Sequence, residues 1–361
     1  MIRRPRNHPY LVPIRRASLA GGALSAVLLA GAAFVAAPPA GATPTATVPL
    51  VLYSSQGYAP AVAKAFQQAS GIPVELDSNP SGTLLHEIEV SKGHPHWGVL
   101  LTEGTTTFAG LDQQHLLLRG YRPPVEWNSL GAANEPKDKS YAPTGIVLSE
   151  AELYTTKVVT APPTNWQQLL EPAWKDAVGM DSATGSGTTF PFVAGMMQHL
   201  GGNNGVQAGK RYFNKLHHNG LVVRTVNNTV LNELTNGKIK VALVQSTAAV
   251  SAMHTHPTFA VRYLPPVTEV PTAVGIDAKA SKAEVAESKK FEQFVLSSAG
   301  QQVMQTATPD GGSLYYPVVN GVQPVATLPP LSSIKTQRIT PYVWGSRQNA
   351  IDAWFTSHVA Q

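Results

Sequence analysis

Three stretches of this chain cluster hydroxyl, amide and backbone N–H groups where a strand pattern gives way to a helix pattern. They are Ser54-Ser55-Gln56-Gly57, the run Ser182-Ala183-Thr184-Gly185-Ser186-Gly187-Thr188-Thr189, and Gln245-Ser246-Thr247. Such groups hold a molecule by hydrogen bonds; none of them is a concentrated charge. The second run is the sharpest. A glycine-flanked serine at a helix start offers unpaired N–H groups and the positive end of the helix dipole, which suits an anion. The plainer reading is an ordinary cap and tight turn. A phosphate loop of the form G-x-x-x-x-G-K-[ST] does not occur, and Gly205 to Lys210 has the wrong spacing for one.

Bond-breaking chemistry finds little support. Ser332-Ser333-Ile334-Lys335 matches the S-x-x-K of serine acyl-enzymes, but no S-D-N or K-T-G partner follows. Gly185-Ser186-Gly187 is not a G-x-S-x-G elbow. With no nucleophile–base set visible, the expectation is a binding protein and not an enzyme. His94-Pro95-His96 and His254-Thr255-His256 invite a zinc reading. Each pair sits beside proline with no acidic neighbour, which favours solvated loop histidines. There are no cysteines, so disulfides, thiolate metal sites and thiol catalysis are excluded. No cofactor or metal is expected.

The elements that must carry these loops alternate between strand and helix, which argues for α/β layers. Leu50 to Leu52 reads as a buried strand, and Val62, Phe66 and Ala69 mark one face of a helix that Gly71 can cap. Ile72 to Leu76 opens a second strand. Helices are predicted over Thr83–Val90, Thr106–Leu117, Phe190–Leu200, Gly209–His218, Val230–Asn236 and Asn349–His358, with one or two over Lys282–Gln305. Buried strands are predicted over Trp97–Leu101, Val178–Asp181, Val222–Val226 and Ile239–Val244. Thr164 and Gln167 form a capping-box pattern, and Tyr121–Lys139 reads as a surface loop. In open α/β sheets, the carboxyl ends of strands and the amino ends of the following helices are where small ligands are held.

The amino terminus reads as an export signal. Arg3, Arg4, Arg6, Arg15 and Arg16 precede an uncharged Leu19–Ala37 stretch, and Ala40-Gly41-Ala42 fits an A-x-A cleavage site. Arg15-Arg16 hints at a twin-arginine signal, so export is through the Sec or Tat route to the periplasm or cell surface. Removing this segment takes five arginines and no acid from a chain of net charge +5, leaving 22 basic against 22 acidic residues. Bulk charge therefore offers nothing to nucleic acid or an anionic membrane. About 320 residues remain, enough to build two cored lobes.

Residues 49–318 resemble the solute-binding proteins of ABC importers, in the branch that includes ferric-ion, thiamine, phosphonate and sugar-phosphate binders. The resemblance lies in VLYSSQGYAPAVAKAFQQASGIPVEL, TNWQQLLEPAWKDAVGMDSATGSGT and NGKIKVALVQS, and above all in Trp166, Leu169, Leu170, Pro172, Trp174 and Lys175. It implies an α/β, two-lobed type II periplasmic-binding-protein fold with hinge strands and an interlobe cleft. Lobe one would be 48–146 plus 272–320, lobe two 147–271, and 321–361 an extension packing on a lobe. The resemblance makes Ser54, Ser55, Gln56 and Tyr58 the first cleft loop, Ser81, Gly82 and Thr83 the second, and Glu103, Gly104 and Thr105 the third. Thr144 and Gly145 lie near the hinge. Thr184, Gly185, Ser186, Gly187 and Thr188 hold the ligand from the other lobe, and Asn227, Asn228 and Gln245 close it.

Two departures matter. Ferric-binding members carry adjacent tyrosines where this chain has Gln245-Ser246-Thr247-Ala248-Ala249, so tyrosinate-bound iron is disfavoured. Gly98 stands where relatives have Asp. The expected ligand is therefore a small anionic solute, a phosphate- or phosphonate-bearing organic compound, carried by a monomer to a membrane permease. A ferric-ion or ferric-complex carrier and an exported hydrolase are the alternatives.

Overall fold

The computed structural model describes residues 48–92 and 96–361. The expected signal segment and His94 lie outside the described residues. The chain begins with β1 (Leu50–Ser54), α1 (Ala59–Ser70), β2 (Val74–Ser78), α2 (Ser81–Val90), β3 (Val99–Glu103), α3 (Thr105–Gln113) and the short α4 (Ser129–Asn134). Helix α1 follows its pattern: Val62 and Phe66 are buried, Pro60 sits in the first turn, and Gly71 ends it at φ 73°. β1 pairs in parallel with both β2 and β3, so their carboxyl ends share one edge. Helix α3 stops earlier than predicted. His115 takes a left-handed φ of 58°, and Leu117 bridges to Asp277 instead. The stretch read as a loop contains α4, because the Asn128 carboxamide oxygen accepts from the N–H groups of Leu130 and Gly131 at 3.0 Å.

Next come β4 (Ala142–Ser149), β5 (Ala151–Thr155), β6 (Val178–Asp181), α5 (Thr189–Gly201), α6 (Val206–His218), β7 (Val222–Arg224), α7 (Asn227–Thr235), β8 (Val241–Val244) and α8 (Ser246–Thr255). β9 (Phe259–Arg262), β10 (Val267–Ile276), α9 (Lys282–Val295) and α10 (Ser298–Ala307) follow. The first sheet has the order β2-β1-β3-β10 with β4 also on β10; the second is β7-β6-β8-β5-β9. Strands β6, β7 and β8 run parallel, so their carboxyl ends also share an edge. The chain crosses between sheets at 149–151 and returns at 262–267. The β4–β10 ladder runs to Ser149 and Thr268, which keeps both strands in the first sheet a few residues past the expected boundaries. No capping box forms at Thr164. The Gln168 side chain accepts from Thr164 N–H and hydroxyl, and only a 3₁₀ turn over Gln168–Leu170 results.

Each sheet has its own core. In the first, Phe66 meets Phe291 edge-on at 5.2 Å, among Leu50, Leu52, Val270 and Val274. In the second, Phe192, Phe213 and Trp166 pack with Met180 and Leu243. The tail, expected on one lobe, binds both. β11 (Thr336–Gln337) adds to β10, and α11 (Pro341–Gly345) lies on α3. Trp344 donates to the Gln198 side chain of α5 at 2.9 Å. Helix α12 (Gln348–His358) sinks Ile351 and Phe355 into the second core, with Phe355 5.6 Å from Phe213. Among the described residues, no helix is long and apolar enough to cross a membrane.

Candidate functional site

The carboxyl ends of β1, β2 and β3 bring their loops together on one group, the Glu103 carboxylate. Ser55 donates to Oε2 at 2.7 Å, Thr102 to Oε2 at 3.3 Å, and Ser81 to Oε1 at 3.1 Å; the Gln56 side-chain amide also donates to Oε2. Ser55 and Thr102 hydroxyls lie 2.6 Å apart. Ser54 plays a different part: its buried hydroxyl ties to the Leu101 carbonyl at 2.7 Å and so fixes the loop. Tyr58 is buried at the start of α1, and its hydroxyl has no hydrogen-bond partner. Burial and the Glu103 charge both push that phenol up. Thr144 on β4 shares a 2.8 Å contact with Thr272 on β10, which cross-braces the two hinge strands.

The second lobe meets this cluster through the 183–188 loop. Gly187 N–H donates to Ser81 Oγ at 3.1 Å. A Cβ on Gly187 would stand 2.7 Å from Ser81 Oγ and 2.8 Å from Glu103 Oε1, so only glycine fits there. A Cβ on Gly82 would collide with the Thr184 carbonyl, and one on Gly185 with the Thr225 carbonyl. Ser186 and Thr188 hydroxyls lie 3.0 Å apart, and the Thr188 carbonyl accepts from Ser149 at 2.9 Å. The two lobes are thus closed on each other through backbone and hydroxyl contacts.

Beneath the loop are two carboxyl groups that sequence reasoning missed. Glu150, where β4 meets β5, and Asp181, at the end of β6, are fully buried. Thr189 donates to Asp181 at 2.6 Å and lies 3.5 Å from Glu150, and Ser149 donates to Glu150 at 2.7 Å. One oxygen of each acid has no partner. Burial, with the charge of Asp181, pushes Glu150 well above the carboxylate range; burial chiefly, opposed by Thr189 and Ser186, puts Asp181 at about 6. Glu103 adds to the upward push on Asp181, so the three acids share one field. Among the described residues, no lysine or arginine pairs with Glu103, Glu150 or Asp181.

A cavity of about 390 Å³ opens at the junction of the lobes. Ser81, Gly82, Thr184, Ser186 and Gly187 line it, as do His86 and Glu89 of α2, and Gln348, Asn349 and Asp352 of α12. Several predicted site residues are not brought in. Thr83 is exposed at the first turn of α2, and Asn227 and Gln245 form no hydrogen bond to any residue of the cluster. Asp181 carried a readable signal, since it ends a strand directly before the hydroxyl-rich loop. Gln348, Asn349 and Asp352 carried none, because only the docking of α12 brings them there. Among the described residues, no group of three or more His, Asp or Glu is arranged to hold a metal ion. The His256 ring packs on Phe259 at 4.6 Å, and His254 lies 3.4 Å from Asp310.

Residues 50–307 match the family model described as bacterial extracellular solute-binding protein. The fold is that of two-lobed type II periplasmic binding proteins. Iron-bound HitA from Pseudomonas aeruginosa is 21% identical with a TM-score of 0.71, covering 85% of this chain and 98% of its own. AfuA from Actinobacillus pleuropneumoniae, with fructose 6-phosphate bound, is 18% identical at 0.74, covering 86% and 98%. A periplasmic thiamin binding protein is 18% identical at 0.67, covering 86% and 96%.

Proposed function

We propose that this chain, which belongs to the bacterial extracellular solute-binding protein family, captures a small, positively charged solute between its lobes. It then presents the closed complex, as a monomer outside the cytoplasmic membrane, to the permease of an ABC importer. The observation that carries the charge assignment is Glu103. Loops from three strands aim their donors at its carboxylate, and the opposite lobe closes over it. Among the described residues no lysine or arginine pairs with it, and behind it lie Asp181 and Glu150, two further acids whose burial favours their neutral forms and which no basic group offsets. A half-buried carboxylate without a counter-ion carries a desolvation cost, and a cationic ligand lessens it. The helix amino ends around it do part of the same work: α2, α3 and α5 all start at this edge.

Capture works by closure. A solute that touches Ser55 and Glu103 on one side and the 183–188 loop on the other favours the closed arrangement by its differential affinity for it. Thr144 and Thr272 brace the hinge strands about which the lobes turn.

A second reading keeps the phosphate- or phosphonate-bearing anion expected from the sequence. The same helix amino ends favour it, and so does the Ser186–Gly187 backbone. In this chain, however, the donors that would hold the anion's oxygens are already spent on Glu103. Thermal-shift and calorimetric titration with thiamine, choline and spermidine, against glucose 6-phosphate, methylphosphonate and ferric citrate, separates the two readings. Saturable binding of an organic cation supports the first; tight binding of a phosphate-bearing compound or of iron overturns it.

A further inference from the structure

We propose that helix α12 builds an outer cation subsite into this cleft, with Asp352 as the group that recognises a positively charged nitrogen and Gln348 and Asn349 as its polar flank. The inference rests on the cationic reading above. Four separate parts of the chain make the chamber: α2 and Thr107 of α3 from the first lobe, the 183–187 loop of the second, and one face of α12. Its size, about 390 Å³, falls within the range of small-molecule sites. Ser81 and Gly187 are common to this chamber and to the Glu103 cluster, so a ligand in one lies against the wall of the other.

The chemistry of the walls selects the occupant. Among the described residues, the chamber has no lysine or arginine lining it. Glu89 is already engaged by Lys92 and Gln114. Asp352 is not: its Oδ1 is buried and has no hydrogen-bond partner. Burial pushes its carboxyl up to about 7, and Gln348 is the one group that opposes this. A chamber-lining carboxyl group with one oxygen left unpartnered is a site where a cationic donor from outside draws out the charged form. An ammonium fits as donor and as charge, and a quaternary nitrogen by charge alone; a phosphate would meet the carboxylate head-on.

The test uses the full chain without its signal and titrates thiamine, choline and spermidine calorimetrically into five proteins. These are wild type, Asp352→Asn, Asp352→Glu, Ala353→Trp (which fills the chamber) and Glu103→Gln. The probe that binds wild type should lose about tenfold in affinity to Asp352→Asn and recover with Asp352→Glu, while the melting temperature of Asp352→Asn holds or rises. Ala353→Trp should weaken the same probe. Unchanged affinity in both Asp352→Asn and Ala353→Trp, beside a loss in Glu103→Gln, overturns the subsite and leaves the cationic cleft standing. If no cation binds wild type, both fall together.

Discussion

Glu103→Gln changes one atom at the point where the loops converge, and the two ligand readings assign it opposite signs. In the folded protein the carboxylate accepts from Ser55 at 2.7 Å, Ser81 at 3.1 Å, Thr102 at 3.3 Å and the Gln56 amide. A carboxamide is isosteric. The three hydroxyls can rotate to accept from its NH₂ group, and the Gln56 amide can turn over. Charged hydrogen bonds become neutral ones, so the cost in stability is about 1–2 kcal/mol. The effect on a cationic ligand is larger, because a close charge pair in a desolvated cleft is lost. Such pairs are worth about 2–5 kcal/mol, or roughly 30- to 5,000-fold in Kd. An anionic ligand would instead be relieved of repulsion and bind more tightly. Isothermal titration of wild type and Glu103→Gln with one cation and one sugar phosphate reads the sign, and thermal unfolding reads the stability term. A wild type that binds the sugar phosphate and not the cation, or cation affinity unchanged within twofold in Glu103→Gln, would refute the reasoning.

Other expectations follow from particular contacts. Gly82→Ala should block closure, since its Cβ collides with the Thr184 carbonyl; ligand affinity should drop more than tenfold while the open lobes keep their melting temperature, as fluorimetry would show. Asp181 has a folded value near 6 against about 3.9 unfolded, so its burial cost is absent below about pH 4 and complete above about pH 6. Stability therefore falls as pH rises through that window, by at most about 3 kcal/mol, and Asp181→Asn should flatten this part of the melting-temperature profile relative to wild type. Phe355→Ala should cost about 3–5 kcal/mol in urea unfolding, because α12 seats that ring against Phe213; a loss under 1 kcal/mol would mean that the tail is not part of the second core.

Much of the fold was legible because it is written locally. The alternation of buried runs such as Val178–Asp181 and Val241–Val244 with amphipathic stretches gives both sheets, and the hydroxyl-rich loops fall at their carboxyl ends as the pattern requires. Failures occurred where a particular partner, distant or local, decided the outcome. His115 ends α3 so that Leu117 can join Asp277, and Gln168 displaces the capping box at Thr164. The site divides in the same way. Ser55, Ser81 and Gly187 could be read from loop position. The central place of Glu103 could not, because one carboxylate among many hydroxyls counts for little until three loops point at it. Glu150 and Asp181 become a pair only when β5 and β6 lie in one sheet, and Asp352 enters only with the docking of α12.

Native mass spectrometry of the exported protein, followed by identification of whatever it releases on unfolding, tests the central claim most directly. The account predicts one small organic cation bound per chain, absent from Glu103→Gln. A phosphate-bearing compound or a ferric ion in its place would contradict it.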